Sequence, residues 1–112
     1  MTRKLLPSIA IAGLLSAQFS LAGEETLTIV VKDYKFQPAE ITIKPGTTVR
    51  WVNQEKRQYH SVYFKALASE EGDYFFPDEI RERTFDTPGT YPYICEPHHE
   101  THNMKGVVHV VE

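Results

Sequence analysis

The chain has 112 residues, 41% hydrophobic and 24% charged, with 15 acidic side chains against 12 basic ones and a single cysteine. That length fits one domain, the formal charge of −3 argues against a nucleic-acid partner, and one cysteine excludes an internal disulfide.

The first residues read as an export signal. Arg3 and Lys4 make a positive start, Leu5 to Phe19 is largely apolar, and Ser20-Leu21-Ala22 puts small residues at the two positions a signal peptidase reads. Cleavage is expected after Ala22. A retained membrane anchor would need about 20 strongly apolar residues, and Pro7, Ser8, Ser16, Gln18 and Ser20 interrupt this stretch. The expected mature protein is a single exported domain, Gly23 to Glu112, destined for the periplasm and free of the membrane. Losing Arg3 and Lys4 leaves ten basic residues against the same 15 acidic ones, a net charge of −5. So short a domain has a marginal core, to which a bound metal would add stability.

Two-residue alternation then predicts strands. Leu27, Ile29 and Val31 alternate with Thr28, Val30 and Lys32; Ile41 and Ile43 repeat the period, as do Val49, Trp51 and Asn53. Pro45-Gly46 between the second and third is a turn signal. Residues 65–77 break the pattern, and Ala66 to Gly72 suits either a helical turn or a plain loop. Arg83-Thr84-Phe85 leads through the turn Asp86-Thr87-Pro88-Gly89 into a strand at Tyr91 to Cys95, and Gly106 to Val111 closes the chain as another. Short strands between Gly/Pro turns predict an all-β, antiparallel Greek-key sandwich. Trp51 and Phe85 are assigned to its core.

The chemistry concentrates in Tyr93-Ile94-Cys95-Glu96-Pro97-His98-His99-Glu100-Thr101-His102-Asn103-Met104, with His60 standing 35 residues before the cysteine. A thiolate, imidazoles and a thioether suit copper in both oxidation states. Zinc would more usually take a second cysteine or a carboxylate. An inert buried cysteine is the plainer reading of Cys95, but His98 and Met104 follow it at ligand-compatible spacing. Met104 is also the only methionine left after the signal is removed.

These residues resemble the cupredoxins, particularly the small plastocyanin, amicyanin and pseudoazurin group, over essentially all of Glu25 to Glu112. Pro45-Gly46-Thr47-Thr48-Val49-Arg50-Trp51-Val52-Asn53 looks like the family's PGxxVxWxN strand, and His60-Ser61-Val62 like its histidine motif. Pro88 to His98 looks like the strand entering the copper loop. The resemblance implies a sandwich of about seven to eight strands holding one copper ion, with His60 supplied by an inner strand and Cys95, His98 and Met104 by the last loop. Cys95 would bind strongly and Met104 weakly. Asn53 and Ser61 would tie the His60 strand to that loop, and Pro97, lacking an N–H, would leave the sulfur electron-rich. The loop departs from the pattern by length, with five residues between His98 and Met104. His99, separated from Met104 by four residues as in the plastocyanin pattern, is therefore an alternative ligand to His98.

The function implied is a blue-copper one-electron carrier, not an enzyme. It would act as a monomer docking transiently with a cytochrome, dehydrogenase or oxidase. A copper-storage or delivery protein using His99 and His102 is the alternative. An open coordination position in the lengthened loop, giving a red-copper or catalytic site, is a third. Glu70, Glu71, Asp73, Asp78 and Glu79 could steer a basic partner or be a solvated loop, and Phe75, Phe76 and Pro77 could be core or docking patch. His109 is expected at a surface or edge.

Overall fold

In a computed structural model, residues 25–112 are described; the expected signal peptide lies outside them. Among these residues, β1 (Thr26–Lys32), β2 (Lys35–Gln37), β3 (Glu40–Ile43), β4 (Thr47–Asn53), β5 (Ile80–Phe85), β6 (Gly89–Ile94) and β7 (Lys105–Val110) form the strands, and α1 (His99–His102) is a single helical turn. One sheet has the order β2-β1-β4-β5 and the other β3-β7-β6. Together they make the two-layer β-sandwich that the sequence predicts.

Both sheets are mixed, which corrects the expectation of antiparallel pairing. β1 runs parallel to β4 and β3 parallel to β7, while β1–β2, β4–β5 and β6–β7 are antiparallel. The chain crosses from one sheet to the other between β2 and β3, back between β3 and β4, and again between β5 and β6. Strands that become neighbours after such crossings are not consecutive, so their directions need not alternate. β2 was also absent from the sequence expectation. It follows Asp33 and Tyr34, both left-handed with φ of 57° and 58°, and two such residues make the tight turn whose twist suits a hairpin.

Alternation places the core. On β4 every second residue, Thr47, Val49, Trp51 and Asn53, is buried, and Ile29 and Val31 of β1 join them from the same sheet. Ile41, Ile43, Tyr93, Val108 and Val110 face them from the other sheet, with Phe36, Phe64, Phe75 and Phe85 filling the interior. The Trp51 indole N–H donates to the Tyr93 hydroxyl at 3.1 Å, joining the two layers without leaving a buried polar atom unpaired. Tyr93 lies opposite Gly106 in register. A Cβ at Gly106 would collide with the Tyr93 ring and the Ala39 carbonyl, so the close approach demands glycine.

Between β4 and β5 the chain leaves the ladders for residues 54–79. Here His60 makes one two-way bridge to Phe75, and Tyr63 makes another to Ile94, each with paired hydrogen bonds of 2.9 to 3.0 Å. The segment carrying His60 is thus anchored at two points rather than being a continuous strand. Lys65 to Ala68 forms one turn, closed by the Leu67 N–H to the Phe64 carbonyl, and no helix develops.

Candidate metal centre

The inward row of β4 ends in a polar residue. Asn53 is fully buried, its amide donates to the carbonyls of Gln58 at 2.9 Å and Phe75 at 3.0 Å, and its carbonyl oxygen accepts the Glu55 N–H at 2.9 Å. One side chain therefore shapes the turn 54–58 and fastens it to the Phe75 segment that pairs with His60. Glu55 is turned inward as a result. Its Oε2 lies 2.9 Å from His60 Nε2 and accepts the Tyr34 N–H at 3.1 Å. A carboxylate partner at Nε2 selects the tautomer with the proton there, leaving the Nδ1 lone pair free.

That Nδ1 faces sulfur. Cys95 follows β6 directly and points inward in step with Tyr93, its Sγ 3.5 Å from His60 Nδ1 and 3.3 Å from His98 Nδ1. The three donor atoms lie within 4.8 Å of one another. Ser61 spans the junction: its N–H points at Sγ from 3.4 Å, and its Oγ accepts the Glu96 N–H at 2.8 Å.

His98 is placed by the turn after the cysteine. The N–H groups of His98 and His99 both donate to the Cys95 carbonyl, at 3.1 and 2.9 Å, and the His102 N–H closes α1 on the His98 carbonyl at 2.9 Å. Asn103 ends the turn in the left-handed conformation, φ 52°, as a residue just past a helix often does. The reversal brings Met104 back, buried at 1% exposure, with its carbonyl accepting the Cys95 N–H at 3.0 Å.

Burial dominates the electrostatics. It pushes both His60 and His98 below the ordinary imidazole value; Glu55 opposes it at His60, whereas at His98 the neighbouring His60 and His102 add to it. Burial pushes the Cys95 thiol up, and the Ser61 and His98 amides and the Ser61 hydroxyl work against that. A thiol this costly to ionise alone, beside two imidazoles held neutral, is a set of donors awaiting a cation. Its softness fits copper.

The structure therefore brings together His60, Cys95 and His98, with Met104 buried in the same loop. His99 is half-buried and not among the converging donors. His102 is outside the cluster too: its ring stacks flat on Tyr34, with centroids 3.8 Å apart and planes 5° from parallel. His109 sits on the outer side of β7, the middle strand of its sheet, bonded to Glu40 at 2.6 Å. Ser61 ties the His60 segment to the copper loop as the resemblance implies, whereas Asn53 acts within the His60 segment itself. Glu55 and Tyr34 escaped the sequence reading. A carboxylate five residues before a lone histidine was a usable signal for Glu55; nothing local pointed to Tyr34.

Of the acidic stretch, Asp73 is paired with Arg81 at 2.9 Å and Glu79 accepts the Phe76 N–H at 2.8 Å. Phe75 is core, while Tyr74 and Phe76 are exposed and cluster with Tyr59 beside His98.

Comparison with known proteins agrees with this geometry. A family model described as copper binding proteins, plastocyanin/azurin family, matches residues 24–111. The chain is 39% identical over 84 residues to a plastocyanin from Scenedesmus fuscus, covering 67% of this chain and 85% of that one. It is 37% identical over 95 residues to amicyanin-alpha from Methylorubrum extorquens, covering 81% and 77%. Among solved structures, amicyanin from Paracoccus versutus superposes with a TM-score of 0.67 at 33% identity, over 77% of this chain and 81% of that one. The inward thiol, the paired imidazoles and the two mixed sheets have one common explanation: this chain belongs to the plastocyanin/azurin family of copper-binding proteins, the cupredoxins.

Proposed function

We propose that the protein is an exported, monomeric one-electron carrier, working in the periplasm, in which His60, Cys95, His98 and Met104 hold a single copper ion. The observation that carries this reading is the convergence of the His60, Cys95 and His98 donor atoms within 4.8 Å of one another. Copper bound there supplies a one-electron couple between Cu(II) and Cu(I).

The protein's part is to keep the donors still. His60 is immobilised by Glu55 on its far nitrogen and by the paired bridge to Phe75. Cys95 is pinned between Ser61 and the Met104 carbonyl. Donors that do not rearrange between oxidation states lower the barrier to electron transfer. Four protein donors also leave no position for a substrate, which favours a carrier over an enzyme.

Partner contact belongs at the His98 end. His98 is the most exposed of the converging donors, at 8%, and Tyr59, Tyr74 and Phe76 form an aromatic rim beside it. Glu70, Glu71 and Asp78, outside the ion pair and turn contact that occupy Asp73 and Glu79, would attract a basic cytochrome, dehydrogenase or oxidase. The stacking of His102 on Tyr34 favours this reading over copper delivery, which would be better served by free imidazoles.

Optical and EPR spectra of the Cu(II)-loaded protein, taken beside Cys95→Ser, test the assignment. An intense visible thiolate-to-copper band with narrow copper hyperfine splitting, lost in the variant, and a reversible voltammetric wave are expected. Ordinary square-planar copper signals unchanged by the substitution would remove Cys95 from the ligand set and the carrier function with it.

A further inference from the structure

The lengthened loop poses a mechanical problem. α1 is four residues long and none of them is buried, so it contributes no side chain to the core. A single turn of helix is not stable by itself. Yet this turn connects His98 to Met104, and His102 closes it on the His98 carbonyl at 2.9 Å.

Tyr34 meets it from the other end of the chain. Its ring lies flat against His102 at 3.8 Å, stands edge-on to His98 at 4.9 Å and 80°, and reaches His60 at 6.0 Å and 86°. The residue is itself fixed twice to the His60 segment. Its N–H donates to Glu55 at 3.1 Å, and its hydroxyl oxygen accepts the Gln58 amide at 2.9 Å. The left-handed turn at Asp33 and Tyr34 is what presents the ring there.

We propose that Tyr34 is a positioning residue for the metal loop: by stacking on His102 it staples α1 to the His60 segment and so holds the His98 ring toward Cys95. The inference rests on His98 being a copper ligand, and it assigns the spare His102 a mechanical task. The contact is one of ring faces. A phenylalanine at position 102 should therefore serve where an alanine does not.

The test uses Tyr34→Ala, His102→Ala, His102→Phe and the double alanine variant, all at one pH. Amide hydrogen exchange is read first in the metal-free protein, so the outcome does not depend on copper. Each alanine variant should speed exchange of the backbone amides at positions 102 and 104 by about five-fold, leaving β4 and β7 unchanged, the double variant should do little more, and His102→Phe should restore the original rate. Electron self-exchange is then measured on the copper-loaded forms. It should slow on the order of several-fold in both alanine variants and recover in His102→Phe.

Unchanged exchange in the loop, additive effects of the two alanines, or equal loosening of β4 and β7 would each overturn the staple. Faster loop exchange with self-exchange unaltered would show a fastening that does not position His98, which also overturns the proposal. Loss of the thiolate band's dependence on Cys95 would sink the ligand assignment while leaving the metal-free result standing, so the two failures are distinguishable.

Discussion

The two segments that bring imidazoles to the metal centre are built on different principles. His60 is fully buried and held by directional bonds: Glu55 on its Nε2, Phe75 on its main chain, and Asn53 bracing the turn behind it. His98 sits in the excursion from Cys95 to Met104, whose side chains meet Tyr34, Tyr59 and one another through ring faces and edges. Hydrogen bonds fix an atom in a direction and are costly to leave unmade, whereas ring contacts tolerate sliding and exchange of one ring for another. The upstream segment thus sets where the metal centre is. The downstream segment can be adjusted without disturbing that.

The largest test of this contrast is Asn53→Ala. It strips partners from the Gln58 and Phe75 carbonyls and from the Glu55 amide, and should cost about 3 kcal/mol of stability. Denaturant midpoints read it directly; a loss under about 1 kcal/mol would mean the His60 segment stands without its brace.

Glu55→Gln comes next, because it alters charge while keeping shape. The carboxylate that accepts from His60 favours the more positive oxidation state, so its loss should raise the reduction potential on the order of 50 mV, about 1 kcal/mol for one electron. A fall in potential by voltammetry would reverse the assigned role.

Pro97→Ala probes the adjustable segment. Position 97 has no N–H to offer the sulfur, and the Ser61 amide approaches it at 3.4 Å. A new donor there should draw electron density from the thiolate and raise the potential by roughly 30 mV. An unchanged or lowered value would count against hydrogen bonding at Cys95 as the control.

The smallest effect concerns the metal-free protein, where both segments should respond to pH together. Burial depresses His60 and His98, so between their folded values and about 6.5 the unfolded chain binds more protons; stability is full above about 6.5 and falls as the pH drops through the depressed values. Cys95 is raised, so its contribution is full below about 8.5 and is lost as the pH climbs through the folded value. Unfolding midpoints across this range should show a plateau between those limits. A maximum on the acid side would contradict the sign at the histidines.

Much of the centre was legible before any coordinates because its donors are chemically rare. One cysteine and an isolated histidine leave few ways to bind copper, and the spacing of Cys95 and His98 survives as a local pattern. The β4 alternation was equally readable, down to the inward Asn53. What stayed hidden depends on pairing across the sandwich. The parallel neighbours β1–β4 and β3–β7 leave no local trace, since nothing in one strand encodes which other strand will lie beside it. β2 was missed because a tyrosine at positive φ is an unusual turn residue. Tyr34 reaches both histidines only through that turn. Phe75 and Phe76 are adjacent and equally apolar, yet one is fully buried and the other 52% exposed, a distinction that the bridge to His60 creates.

The Cys95 N–H donating to the Met104 carbonyl, one step beyond the Ile94–Lys105 pair, carries a further consequence. It closes the loop at its feet, so the residues between form a cassette whose length can vary outward while its two ends stay in place. In engineering terms this is an insertion point: residues gained or lost between His98 and Met104 reshape the exposed cap, and the sandwich beneath need not be redesigned to receive them.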